Sequence, residues 1–217
     1  MDKNKLKKRY LYSIYIIAIL WLGILLIFMR DSFTPGGGNV DRQVINVVIN
    51  TRTTNLNPIF IFITNTGNTI PTIIITSVIT LLFIYYKKNL EAAVYPAYVL
   101  LIFLLNEGIK DIVKRPRPGI IRLVSAGNYS FPSGHAMISM GSMLFLTYLI
   151  IIHINKKRLS MILRIILILY TVVLGLSRVY VGVHYISDVI GGWFFASVYA
   201  GIGIQLYDFI VKRVRGE

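Results

Sequence analysis

The sequence predicts an all-α fold, a six-transmembrane-helix bundle with a short extracytoplasmic amphipathic helix, and three observations carry that prediction. Of 217 residues, 55% are hydrophobic and only 15% charged, with a mean hydropathy of +0.67, a composition suited to a bilayer rather than to water. Apolar runs long enough at helical rise to cross a hydrocarbon core recur along the chain. Clusters of lysine and arginine close most of those runs. The net charge of +14 would in a soluble protein suggest nucleic-acid binding, but here the cations sit between apolar runs rather than on one folded face, so no nucleic-acid partner is expected. There is no cysteine, which excludes thiol catalysis, disulfides and cysteine-based metal sites.

The first span is expected over residues 10–29, behind a start that carries Lys3, Lys5, Lys7, Lys8 and Arg9. That apolar run is too long for a signal-peptide core and no small-residue cleavage site precedes Arg30, so it reads as retained. Pro35-Gly36-Gly37-Gly38 then breaks the chain. Val40, Val44, Val47 and Val48 follow at helical spacing among Asp41, Arg42, Asn46 and Asn50, predicting a short amphipathic helix at the membrane surface or in a connecting loop. The second span covers about 71–86, opening on Pro71, which suits a first helical turn, with Ile59 to Ile63 as an outward continuation. Lys87 and Lys88 stop it. The third covers 92–112, beyond which Pro116 and Pro118 forbid helix. The fourth, fifth and sixth cover about 135–153, 162–176 and 189–209. The chain 1–217 is thus expected to form a single integral membrane domain.

Six spans put both termini on one side. That side holds fourteen of the 23 lysines and arginines; the other nine are Arg30, Arg42, Arg52, Lys110, Lys114, Arg115, Arg117, Arg122 and Arg178. Cytoplasmic loops carry the cationic excess, so the termini are expected in the cytoplasm of a multi-pass cell-membrane protein. The opposing charge lies mostly in the connections after spans three and five, which is what a functional cationic pocket on the outer face would produce.

Three clusters map to that outer face: Lys110 through Arg117-Pro118, then Pro132-Ser133-Gly134-His135, then Ser177-Arg178 through His184 to Asp188. Together they suit a phosphate group. Arg117 and Arg178 offer planar donor forks matched to phosphate oxygens, and Lys110 adds a point charge. Ser133 and Gly134 stand ahead of the fourth span, where free backbone N–H groups attract an anion. In a helical backbone His184 and Asp188 lie at i and i+4, so the carboxylate can orient the ring. A histidine so oriented can be a nucleophile, and His135 can supply a proton to a leaving oxygen. A magnesium site would call for several carboxylates. Only Glu107, Asp111 and Asp188 lie near, the first two explained by pairing with Lys110, Lys114 and Arg115, so neither metal nor other cofactor is expected. Lys114, Arg115 and Arg122 read as solvated or headgroup contacts, and His153 as an interfacial side chain at the cytoplasmic end. Each cluster alone has a structural explanation; their joint occurrence beside membrane spans points to function.

These residues resemble the type 2 phosphatidic acid phosphatase, or lipid phosphate phosphatase, superfamily, which also includes soluble vanadium haloperoxidases. Its signature is a lysine, six residues and Arg-Pro; then Pro-Ser-Gly-His; then Ser-Arg, five residues, His, three residues and Asp. Lys110 to Pro118, Pro132 to His135 and Ser177 to Asp188 fill every position, and the six expected spans fit the membrane branch in bacteria. The resemblance implies that His184 attacks phosphorus to form a phosphohistidine, Asp188 supports it, His135 protonates the leaving group, and Lys110, Arg117, Ser133, Gly134 and Arg178 hold phosphate oxygens. It implies a membrane lipid phosphate or diphosphate as substrate (undecaprenyl diphosphate, phosphatidylglycerol phosphate, phosphatidic acid or diacylglycerol diphosphate), no metal, and no obligate protein partner. An anionic-lipid transporter or binding protein, or a lipid phosphotransferase, would use the same pocket.

Overall fold

The computed structural model describes residues 3–29, 37–127 and 129–215; Arg30 and Pro35-Gly36, assigned above to the outer face and the first break, lie outside them. The described residues form eight helices and no strand: α1 (Lys3–Met29), α2 (Asn39–Thr51), α3 (Leu56–Asn65), α4 (Thr69–Tyr85), α5 (Asn89–Val113), α6 (Gly134–His153), α7 (Lys157–Tyr180) and α8 (Ile186–Arg215). Of these, α1, α5, α6, α7 and α8 are long and apolar enough to cross a membrane. Each exceeds its expected apolar run at one or both ends; in α1, α7 and α8 the added turns carry lysines and arginines, which continue a helix while their heads reach the interface.

Helix α6 is the axis of the bundle. The most apolar stretch of α6 is 72% buried against 17% for that of α1, and α6 packs on α8, α7, α5 and α1. Ala136, Met137, Phe145 and Tyr148 of α6 meet Ile102 of α5 and Ala196, Ala200 and Ile204 of α8 in one core. At the end of the bundle away from the three clusters, Glu91 accepts hydrogen bonds from His153 (2.7 Å) and the Tyr207 hydroxyl (2.5 Å). That knot ties α5, α6 and α8, and gives His153 a buried carboxylate partner rather than a purely interfacial role.

Two elements differ from the expectation, each for a visible reason. The expected second span is interrupted. Helix α4 has 17 residues, about 25 Å at helical rise, short of a hydrocarbon core of about 30 Å; α3 precedes it, bent away by 54° at residues 66–68. Only if the pair counts as one broken span do the described residues give six. The break is held by tertiary contacts: Thr66 Oγ1 lies 3.0 Å from the Tyr170 hydroxyl, and Gly67 sits where an added Cβ would come within 2.6 Å of His135 Cδ2. The amphipathic helix exists as α2, packed on α7 and α8, but its buried residues are Asp41 and Ile45. Val44 and Val48 flank them, half-buried, while Val40 and Val47 face outward.

Candidate active site

Each cluster is shaped locally before it joins the others. Helix α5 ends where Lys114 turns left-handed (φ 51°), and the following Arg-Pro-Arg-Pro run stays extended because a residue before proline avoids helical backbone. At the end of α7, Gly182 takes φ +80°, and an added Cβ would lie 2.5 Å from Arg52 Nη2. Arg52 donates to the Tyr180 carbonyl from Nε (3.0 Å) and Nη2 (2.7 Å), closing α7, whose orphan carbonyls need such donors. The tight turn lets the Val183 and His184 N–H groups both donate to the Arg178 carbonyl, at 3.2 and 3.3 Å. Ser133 caps α6, its Oγ accepting from Ala136 N–H at 3.5 Å, while its own N–H donates to the Asp188 carbonyl at 3.0 Å. The second and third clusters are therefore joined through backbone.

The structure gathers all eight sequence-predicted residues at one end of the bundle. His184 is 2% exposed. Its Nδ1 faces Asp188 Oδ2 at 3.5 Å, and its Nε2 lies 3.1 Å from Arg117 Nη1, so the ring is suspended between carboxylate and guanidinium. Burial, together with the positive Arg178, Arg117 and Lys110, drives the His184 imidazole well below its ordinary pKa and favours the neutral ring. Arg117 is anchored by donating from Nε to the Gly127 carbonyl (2.6 Å) and from Nη1 to the Val183 carbonyl (2.7 Å). Arg178 is 4% exposed; its Nη1 donates to Thr64 Oγ1 at 2.6 Å, leaving Nε buried without a protein acceptor among the described residues. Such an orphaned donor fits an anion's oxygen. An added Cβ on Gly134 would sit 3.4 Å from Lys110 Nζ and 3.0 Å from Asn106 Oδ1, so the bare glycine leaves space beside the ammonium. Lys110 itself holds Glu107 at 2.6 Å, the expected i, i+3 pair.

Several functional contacts escaped sequence reasoning. His135 Nε2 lies 3.1 Å from Asn68 Oδ1, so the α3–α4 break supplies Thr64, Gly67 and Asn68 to the site. Arg115 corrects its expected role outright: Lys114 and Arg122 are exposed, but Arg115 is 3% exposed, with Asp188 Oδ1 2.5 Å from Nη1 and Asp41 Oδ2 2.7 Å from Nη2. A sequence signal existed for Asp41, which stands three and seven residues before Val44 and Val48 on the apolar stripe of its helix. From His135, Gly134 and Lys110 a groove of about 560 Å³ runs between α4 and α5, lined by Thr72, Thr76, Leu100 and Phe103.

This fold and this end of the bundle define a multi-pass helical membrane protein with a buried cationic pocket built around two histidines. A model of the PAP2 superfamily matches residues 91–212, more than half the chain, and the protein belongs to that superfamily. The chain is 33% identical over 137 residues to the phosphatidylglycerophosphatase B of Bacillus subtilis, a match covering 59% of this chain and 60% of that protein; the chain thus spans about three fifths of that relative. It is 26% identical over 206 residues to an undecaprenyl-diphosphatase of Sulfolobus acidocaldarius, covering 92% of each. The crystal structure of a transmembrane PAP2-type phosphatidylglycerolphosphate phosphatase from Bacillus subtilis shares the fold, with a TM-score of 0.78 at 24% identity over 93% of this chain and 98% of that one.

Proposed function

We propose that this protein is a membrane phosphatase that hydrolyses lipid phosphates without a metal, through a phosphohistidine on His184. The observation that carries the reading is the suspension of His184 between Asp188 at Nδ1 and Arg117 at Nε2, among cations that include Lys110, which with His135 also lines an apolar groove. With the Asp188 carboxylate facing Nδ1 at 3.5 Å and favouring the proton on that nitrogen, the Nε2 lone pair is the one that meets phosphorus. The Nε2–P bond forms as the bond from phosphorus to the lipid oxygen breaks, and His135 gives that oxygen its proton. Water then attacks phosphorus, losing its proton to His135; the N–P bond breaks and inorganic phosphate leaves. Arg117, Arg178 and Lys110, with the Ser133 hydroxyl and the Gly134 N–H, hold the three equatorial oxygens as charge spreads over them. Fixed cations take the part a metal would otherwise play. No three His, Asp or Glu side chains gather as a metal-ligand set among the described residues, and Asp188 is already engaged by Arg115 and the Tyr185 N–H.

The groove between α4 and α5 suits the lipid chain, whose apolar body leaves the bilayer sideways while its phosphate reaches Lys110 and His135. The names of the relatives direct the choice of substrate to phosphatidylglycerol phosphate and undecaprenyl diphosphate, with phosphatidic acid as the simplest monophosphate. Six spans, the bent α3–α4 pair being one, put both termini in the cytoplasm, with α2 and the pocket at the outer face, in keeping with the distribution of lysine and arginine.

Purified protein in detergent with excess EDTA is expected to release phosphate from at least one of these three lipids, and His184→Ala to abolish that release. Binding without release across the panel would instead indicate a lipid-binding or transport protein, and transfer of phosphate to a second lipid a phosphotransferase. Full activity in His184→Ala would remove the nucleophile.

A further inference from the structure

Behind His184, Asp188 belongs to a buried network of four side chains whose other three members, Asp41, Arg115 and Ser187, hydrolysis as described does not use. Arg115 bridges two carboxylates, Asp41 of α2 through Nη2 (2.7 Å) and Asp188 of α8 through Nη1 (2.5 Å). Ser187 closes the ring: its hydroxyl lies 2.7 Å from both Arg115 Nη1 and Asp41 Oδ2, and its N–H donates to Asp41 Oδ1 at 3.1 Å. Asp41, Arg115 and Asp188 are each 3% exposed or less. The Arg115 guanidinium also lies over the Tyr185 ring, 4.3 Å from its centroid.

Burying one Arg–Asp pair needs no third charge, and adding a carboxylate to a neutral buried pair costs desolvation. Asp41 is therefore superfluous if Arg115 and Asp188 only fasten α8. It acquires a use once the needs of His184 are considered. When Nε2 bonds to phosphorus and Nδ1 keeps its proton, the ring carries positive charge. The groups facing it are Lys110 (with Glu107) from α5, Arg117 from the α5–α6 connection, His135 from α6 and Arg178 from α7, with neutral Thr64 of α3 and Asn68 of the α3–α4 break; the negative side is Asp188 of α8. Arg115, alone on Asp188, would cancel most of that carboxylate's field at the ring. A second carboxylate on the far side of Arg115 offsets the guanidinium and leaves the trio with one net negative charge next to His184.

We propose that Asp41 is a positioning residue for the reaction: acting through Arg115, it preserves the negative field of Asp188 at His184, and so couples α2 to the nucleophile. This rests on the phosphohistidine reading above. It predicts a specific order among charge variants. Asp41→Asn leaves a neutral Arg115–Asp188 pair, so kcat falls by about tenfold or more with KM little changed. Removing negative charge favours the neutral ring, so the acidic limb of kcat/KM moves to lower pH by on the order of one unit. Asp41→Glu keeps the charge and recovers much of the rate. The double variant Asp41→Asn/Arg115→Gln restores one net negative charge, on Asp188 alone, and is expected to exceed Asp41→Asn in kcat and to return the acidic limb towards its original position.

The experiment measures kcat, KM and pH profiles of phosphate release for the wild type and these three variants in detergent, with the unfolding midpoint of each as a folding control. A latch that merely fastened α2 would be loosened further in the double variant. A double variant slower than Asp41→Asn, or an unchanged rate and pH profile in Asp41→Asn, overturns the proposal. If Asp41→Asn does not fold, the double variant is compared directly with wild type: a rate within about tenfold and an unmoved acidic limb support the proposal, and a larger loss overturns it. Failure of the phosphatase reading itself is separate, since the wild type would then release no phosphate from any lipid of the panel.

Discussion

Replacing Asp188 by Asn changes one atom at the most constrained position of the site. Asp188 Oδ1 accepts from Arg115 at 2.5 Å, while Oδ2 accepts from the Tyr185 N–H at 2.9 Å and faces His184 Nδ1 at 3.5 Å. An amide has one acceptor oxygen for these two sides. With that oxygen kept on Arg115, the NH₂ group meets the Tyr185 N–H and offers a proton to His184 Nδ1, so the ring shifts its own proton to Nε2 and the nucleophilic lone pair is lost. The reverse orientation sets NH₂ against the guanidinium, leaving buried donors unpaired at a cost of about 1–3 kcal/mol. Where a buried carboxylate fixes the tautomer of a catalytic histidine, the same change lowers kcat by about 10⁴-fold, or about 5 kcal/mol of barrier. That loss is expected here, with KM within a few-fold of wild type, because the phosphate-holding cations stay in place. Initial rates of phosphate release against lipid concentration, in detergent and with the unfolding midpoint as control, read both parameters. A kcat within tenfold of wild type, or an effect confined to KM, refutes Asp188 as the group that orients His184.

Other outcomes follow from the same geometry. Arg117→Lys removes a fork that now holds the Gly127 and Val183 carbonyls at 2.6 and 2.7 Å; a lysine cannot span both and present a donor to phosphate, so kcat/KM is expected to fall about 10–100-fold, measured with the same assay. Gly67→Ala brings a methyl group within 2.6 Å of His135 Cδ2 and 2.8 Å of Leu174 Cδ2, displacing the imidazole proposed as proton donor, and is expected to lower kcat by about 10²-fold while leaving the surroundings of His184 intact. The pH profile carries a sign: because the His184 pKa is depressed from 6.5 by burial and neighbouring cations, the neutral nucleophile persists into mild acid and the acidic limb of kcat/KM has its midpoint below 6.5. A midpoint at or above that value contradicts the assignment.

Much of the candidate site's geometry is legible in the sequence because its residues lie at short range. Lys110 to Arg117, Ser133 to His135 and Arg178 to Asp188 each fall within one turn-and-helix junction, where spacing determines which side chains share an end of a helix. The long apolar runs likewise marked α1, α5, α6, α7 and α8. What was not legible depends on partners distant in the chain. Arg115 lies beside Lys114 and looks like any cation bordering a span; only the extended Arg-Pro-Arg-Pro backbone and the arrival of Asp41, 74 residues earlier, bury it. Residues 59–86 read as one apolar stretch, yet Thr66-Gly67-Asn68 break it against His135 and Tyr170, a choice made by packing and not by helix propensity. The valines of α2 gave the period of that helix but not its inward face, because a charged residue, Asp41, opens the buried stripe once Arg115 meets it.

A phosphohistidine on His184 would be trapped by rapid quenching. Wild-type protein mixed with a lipid phosphate radiolabelled at phosphorus and quenched in alkali within the first turnover is expected to hold label that survives alkali and is lost in acid, as a phosphoramidate is, mapping to the peptide that contains His184. His184→Ala is expected to hold none. Turnover without any labelled protein at the shortest quench times, or equal labelling of His184→Ala, would contradict the account.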